Sequence, residues 1–152
     1  MKKPVEDFYI YRRHLPHFRS RGRTYFVTWR MAPDQSDLRP RERSEVVSVL
    51  RHFDGARYEL IGYVVMNDHV HVLGPEDKYR LEDIMHTWKS YSAHQIVDFY
   101  ERRAPLWQHE SFERIVRNKL ELYEKMRYIA DNPFKRWPNL DSYEWVWCKG
   151  ME

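Results

Sequence analysis

The stretch GYVVMNDHVHVLG, residues 62–74, constrains this chain more than any other. Two apolar, β-branched runs flank Asn67-Asp68, a serviceable tight-turn pair, so the segment is predicted to be a β-hairpin. Successive side chains on a strand project to opposite faces. His69 and His71 therefore share one face of the second strand, and Val70 and Val72 occupy the other. Such a strand is two-sided, apolar on one face and polar on the other.

The rest of the chain supplies elements for a sheet and its cover. TYFVTWRM (24–31) is β-branched and aromatic and predicts a strand. Val46, Val47, Leu50 and Phe53 recur at helical spacing and predict a helix over 41–53, broken by Asp-Gly-Ala at 54–56. A strand is predicted over 57–66, before the turn. A long amphipathic helix follows over 79–103, with Leu81, Met85, Trp88, Ile96 and Phe99 as its apolar stripe. Residues 104–117 are predicted to be a loop and a short extended segment. The last helix spans 119–133 and stops at Asn132-Pro133. This order describes one α+β domain over residues 1–152, built on an antiparallel sheet, with an aromatic and basic tail at 134–152. One cysteine rules out a disulfide framework and a cysteine-rich zinc module. No apolar run approaches the roughly 20 residues that span a bilayer. The first residues lack the apolar centre of a signal peptide, so a cytoplasmic protein with no membrane partner is expected.

Lys and Arg outnumber Asp and Glu by 26 to 23, an excess that permits a polyanionic partner without demanding one. The basic residues are clustered. The arm over residues 1–23 carries Arg12, Arg13, Arg19, Arg21 and Arg23, with no acid among residues 12–23. It reads equally as a solvated leader or as a phosphate-tracking segment. Arg114, Arg117 and Lys119 form a second cluster. Aromatic residues make up 16% of the chain, enough for both a core and stacking surfaces. Trp29, Trp88 and Trp107 are assigned to the core, and Trp137, Trp145 and Trp147 to exposed positions.

Two imidazoles close together on one face suit a divalent metal, and equally suit plain surface histidines or a hydrogen-bonded pair at a sheet edge. On the long helix, Tyr91 and Gln95 are four residues apart and hence neighbours. Tyr91 also reads as a tyrosine at the rim of the core and Gln95 as a solvated position. His86 and His94 fall on other faces and are expected to be exposed.

Taken together, the strand motif and the Tyr-x-x-x-Gln helix resemble the HUH single-tyrosine nucleases and transposases, and within them the REP-associated tyrosine transposases. The resemblance extends over RRHLPHFRSRGRTYFVTWR, GYVVMNDHVHVL, IMHTWKSYSAHQI, APLWQHESFERIVRN and YEKMRYIADNPFKRW. One departure is local: Asn67-Asp68 stands where that branch usually has Pro-Asn. The resemblance implies a ferredoxin-like HUH fold and a metal-dependent endonuclease or transposase acting on single-stranded, hairpin-forming REP-like DNA. It further implies that Tyr91 attacks a phosphodiester to give a 5′-phosphotyrosine and a free 3′-hydroxyl, with His69, His71 and Gln95 holding Mg²⁺ or Mn²⁺. The phosphotyrosine conserves the energy of the broken bond, so no nucleotide cofactor is expected, and no phosphate-binding G-x-x-x-x-G-K-[ST] loop occurs. A domesticated hairpin-binding protein without cleavage activity is the alternative, and monomer and homodimer both remain open.

The basic arm yields a quantitative expectation. If Arg12, Arg13, Arg19, Arg21 and Arg23 contact phosphates, replacing two of them should weaken binding to all DNA sequences about equally. The slope of log K against log salt should fall by about one to two. An unchanged slope would return the arm to a solvated leader.

Overall fold

The computed structural model of this protein describes residues 23–75 and 79–151. The elements run β1 (Thr24–Met31), α1 (Pro40–His52), β2 (Gly62–Val65), β3 (His69–Pro75), α2 (Leu81–Phe99), β4 (Trp107–Val116), α3 (Lys119–Arg136) and β5 (Val146–Cys148). The strands form one antiparallel sheet in the order β4-β1-β3-β2-β5. The first six elements make a ferredoxin-like β-α-β-β-α-β unit. In it, β1-α1-β2 and β3-α2-β4 each cross over one intervening strand. Crossovers of this kind are right-handed, which sends both helices to the same face of the sheet. The opposite face is left to α3.

Two cores follow from the period-two alternation of the strands. Val27, Trp29, Val70 and Val72 pack against Val46, Val49 and Leu50 of α1 and Ile84, Met85, Trp88 and Ile96 of α2. Phe26, Val64 and Leu73 point the other way and meet Leu122, Met126, Ile129 and Ala130 of α3. Trp29 joins β1 to both ends of its layer, stacking on Trp88 at 6.0 Å and meeting Trp107 edge-on at 6.1 Å.

Several predicted boundaries change for local reasons. The strand expected from residue 57 begins at Gly62, because Tyr58 is bridged to Asp54 instead. The extended segment after α2 is a ten-residue edge strand, β4. Pro133 does not end the last helix: the helix runs through it to Arg136, forgoing the one hydrogen bond that its missing N–H would have made, and Trp137 N–H closes the helix on Pro133 C=O at 2.8 Å. Phe99 is not part of the apolar stripe of α2; it is 83% exposed at the last position of the helix. The tail is ordered by pairing of β5 with β2 and by Tyr143, whose hydroxyl donates to Val65 C=O at 2.7 Å. Its tryptophans are packed rather than free. Trp145 lies under the Arg43 guanidinium at 4.9 Å, and Trp147 lies under that of Arg51 at 5.0 Å. Trp29, Trp88 and Trp107 are buried as expected.

A buried ion pair ties the ends of α1 and α2 together. Glu42 is the third residue of α1, fully buried, and accepts from the Arg39 backbone N–H at 2.7 Å. Arg102 donates to both its oxygens, at 2.5 and 2.7 Å, and also to the carbonyls of Ser36 and Asp37. Burial pushes the Glu42 carboxyl up, but the Arg102 hydrogen bonds and charge and the Arg39 amide outweigh it and hold it below the ordinary 4.5. The pair therefore contributes stability that is present above that value and lost as the pH falls below it. Glu42→Gln leaves the Arg102 charge buried without its partner. It should cost about 3–5 kcal/mol in urea unfolding at neutral pH; a loss below about 1 kcal/mol would show that the pair is solvated.

Candidate functional site

On β3 the two histidines face the α3 layer, where register and packing fix their surroundings. Thr28 of β1 and Val64 of β2 lie directly opposite His71. His71 is only 4% exposed. Its Nδ1 is 2.6 Å from Thr28 Oγ1, and its ring stacks on Phe26 at 5.3 Å. The Nε2 atom is buried and, among the described residues, has no hydrogen-bond partner. Burial above all, then the nearby His69, Arg30 and Lys125, push the His71 imidazole down to about 3. It is therefore neutral at physiological pH and keeps a free ring-nitrogen lone pair. His69 lies edge-on to His71 at 4.8 Å, with its Nδ1 2.6 Å from Asp68 Oδ1.

The tyrosine beside this pair is Tyr128. Its ring meets His71 edge-on at 5.3 Å and Phe26 at 5.8 Å, and it remains 43% exposed. It is carried by α3, whose Met126, Ile129 and Ala130 seat the helix on the sheet. Asn132 follows one turn later, on the same side of the helix. Lys125 lies with its ammonium over the Phe26 ring at 5.0 Å, and Arg30 is paired in register with His69. The site thus joins two imidazoles, a half-exposed phenol, an amide and two cations. That set suits a phosphodiester better than a cationic or apolar ligand.

Tyr91 and Gln95 are not brought to the histidines, which corrects the expectation for both. Their helix, α2, packs Trp88 against Trp29 and Tyr58, on the Val70 and Val72 face of the sheet. Tyr91 is 58% exposed, and with Gln95 it lines a small pocket of about 180 Å³ together with Ser48, His52 and Phe53. The sheet itself separates that pocket from His69 and His71. The right-handed crossover that sets α2 beside α1 is the physical reason. The signal that was missed is a second pair at helical spacing, Tyr128 and Asn132, inside YIADNP. His86 and His94 are exposed, as expected, beside a groove of about 500 Å³ between α2 and the start of β4.

Of the basic residues expected at DNA, Arg12, Arg13, Arg19 and Arg21 lie outside the described residues. Arg23 is exposed just before β1. Arg114 pairs in register with Phe26, on the histidine face, and contacts Glu121 at 3.2 Å. Arg117 and Lys119 are exposed where β4 passes into α3. Phe112, also exposed, is opposite Thr28 in the same cross-strand row as His71.

The residues present fit a divalent cation. An unpartnered, buried Nε2 on His71 and a carboxylate-anchored His69 are donor arrangements of the kind metals use. Among the described residues no group of three His, Cys, Asp or Glu side chains is gathered to hold a metal, so a third protein ligand would be an amide such as Asn132.

The family model of the IS200-like transposases matches residues 38–132. Two solved structures share the fold. One is a REP-associated tyrosine transposase bound to a REP hairpin, with 20% identity and a TM-score of 0.61, covering 80% of this chain and 73% of that one. The other is a Deinococcus radiodurans R1 protein assigned as a transposase, with 17% identity and a TM-score of 0.56, covering 74% of this chain and 95% of that one. No curated protein sequence matches significantly. Among the described residues no helix is long and apolar enough to cross a membrane.

The neutral state of His71 has a measurable consequence. An unfolded histidine takes its proton near 6.5 and the folded one only near 3. Between those values the unfolded chain binds more protons, so falling pH favours unfolding. Relative to His71→Asn, the wild type should lose stability steadily as the pH falls from about 6.5 towards 3 in denaturant titrations. A difference between the two proteins that does not change with pH would mean that His71 is solvated.

Proposed function

This chain belongs to the IS200-like transposase family, and we propose that it cleaves and rejoins single-stranded, hairpin-forming DNA with Tyr128 as the nucleophile. One observation carries this: the Tyr128 ring rests against His71 at 5.3 Å, on the face where both motif histidines lie. The hairpin as substrate is supported by the fold shared with the REP-associated transposase bound to a REP hairpin.

The Tyr128 phenol oxygen attacks the phosphorus of a phosphodiester, and an O–P bond forms while the P–O3′ bond breaks. The phenolic proton passes to solvent, and the departing 3′-oxygen takes up a proton to become a 3′-hydroxyl. The 5′-phosphate stays on the tyrosine, and attack by a 3′-hydroxyl reverses the step. An ordinary phenol titrates near 10 and is a poor nucleophile at neutral pH, so the step needs electrostatic help. A divalent cation, Mg²⁺ or Mn²⁺, held by His69, His71 and Asn132, would supply a Lewis acid at the scissile phosphate. Imidazole and amide ligands bring no negative charge and do not offset charge directed at phosphate. Arg30, Lys125 and Arg114 hold the phosphates on either side of the cut. Arg117, Lys119 and Arg23 extend the basic track along the strand, and Arg12, Arg13, Arg19 and Arg21 add to the phosphate contacts.

The test is covalent trapping with Mn²⁺ and single-stranded hairpin DNA. Wild type and Tyr91→Phe should both form a protein–DNA adduct, whereas Tyr128→Phe should form none and keep its hairpin affinity. An adduct that persists in Tyr128→Phe and disappears in Tyr91→Phe would overturn the assignment. Tight hairpin binding by the wild type with no adduct would instead support a binding protein that does not cut.

A further inference from the structure

Asp68 closes the Asn67-Asp68 turn just before the first motif histidine, and among the described residues its side chain meets one partner: Oδ1 lies 2.6 Å from His69 Nδ1. We infer that Asp68 is a positioning residue, whose carboxylate fixes the tautomer of His69 and presents Nε2 as the metal-binding atom. This rests on the proposed metal site and deepens it by assigning a role to a side chain that does not itself touch the ion or the DNA.

The chemistry is asymmetric between the two histidines. An ionised carboxylate can only accept, so the hydrogen it shares with His69 must belong to Nδ1. A neutral His69 then carries its lone pair on Nε2. The hydroxyl of Thr28 can donate or accept, so the bond to His71 does not by itself choose a tautomer. His71 is instead held by its surroundings, stacked on Phe26 and flanked by Tyr128. His69 has one ring neighbour, His71, edge-on at 4.8 Å, and its Asp68 anchor. A carboxylate on the remote ring nitrogen also makes the ligating nitrogen more basic.

The turn does not need the Asp68 side chain. It is closed by Met66 N–H on His69 C=O at 2.8 Å, Met31 N–H on Asp68 C=O at 2.9 Å and Leu38 N–H on Asn67 C=O at 2.7 Å. The Asp68 side chain is 52% exposed, and a contact to so open a carboxylate contributes little to folding. Replacing it should therefore leave the thermal midpoint near that of wild type, which separates positioning from a structural role.

Two measurements on the full chain without DNA test this. In ¹⁵N NMR of the metal-free protein, at a pH where His69 is neutral, wild-type His69 should be the Nδ1–H tautomer. Asp68→Ala should shift it towards Nε2–H. In calorimetric titration with Mn²⁺ alone, Asp68→Ala should bind about 10–100-fold more weakly than wild type. Asp68→Asn keeps an acceptor oxygen in place and should recover most of that loss. The inference is overturned if wild-type His69 is Nε2–H, or if Asp68→Ala binds Mn²⁺ like wild type while His69→Ala does not bind. If His69→Ala and wild type bind Mn²⁺ equally, the metal site itself is wrong and the role of Asp68 falls with it.

Discussion

The alternation of β3 is the constraint on which the rest of this structure depends. Its valines must be covered by one layer and its histidines and Leu73 by another, so neither face of the strand can be left to solvent. The interleaved crossovers place α1 and α2 together over the valines. A bare ferredoxin-like unit would leave His71 and Leu73 exposed. The addition of α3 covers Leu73 with Leu122, Met126 and Ile129, and the same packing sets Tyr128 beside His71. Burial of the second core and assembly of the site are therefore one event.

That arrangement also accounts for the electrostatics. Burying an imidazole favours its neutral form, and the cations Arg30 and Lys125 push the same way. Positive charge is placed around a neutral ligand atom rather than on it. A phosphodiester brought to this face would meet the cations Arg30 and Lys125, and the nearby carboxylates Asp68 and Glu121 are engaged by His69 and Arg114.

Much of the fold was legible in the sequence because period two and period 3.6 are strong signals where one face is buried. The hairpin, the sharing of one face by His69 and His71, α1 and the antiparallel α+β class all follow from such patterns. The proposed nucleophile was not legible from spacing. Tyr91/Gln95 and Tyr128/Asn132 are equally good neighbours on a helix, and only the side of the sheet distinguishes them. That side is a tertiary property, set by crossover handedness and strand parity together. Pro133 obscured the second pair further, because a proline beside Asn132 suggests that the helix ends where in fact it continues to Arg136. The strand β5 was hidden for another reason: its three residues are held by pairing with β2 and by cation–π contacts from α1, not by any periodicity of their own.

The central claim is that the phenol that acts is the one on α3, in the same chain as the histidines it touches. It is tested most directly by locating the attachment point of trapped DNA by mass spectrometry after trypsin and nuclease digestion. The account predicts a nucleotide remnant on the peptide spanning residues 128–135, YIADNPFK, at Tyr128. A remnant on the peptide spanning residues 90–102, SYSAHQIVDFYER, at Tyr91 would contradict it.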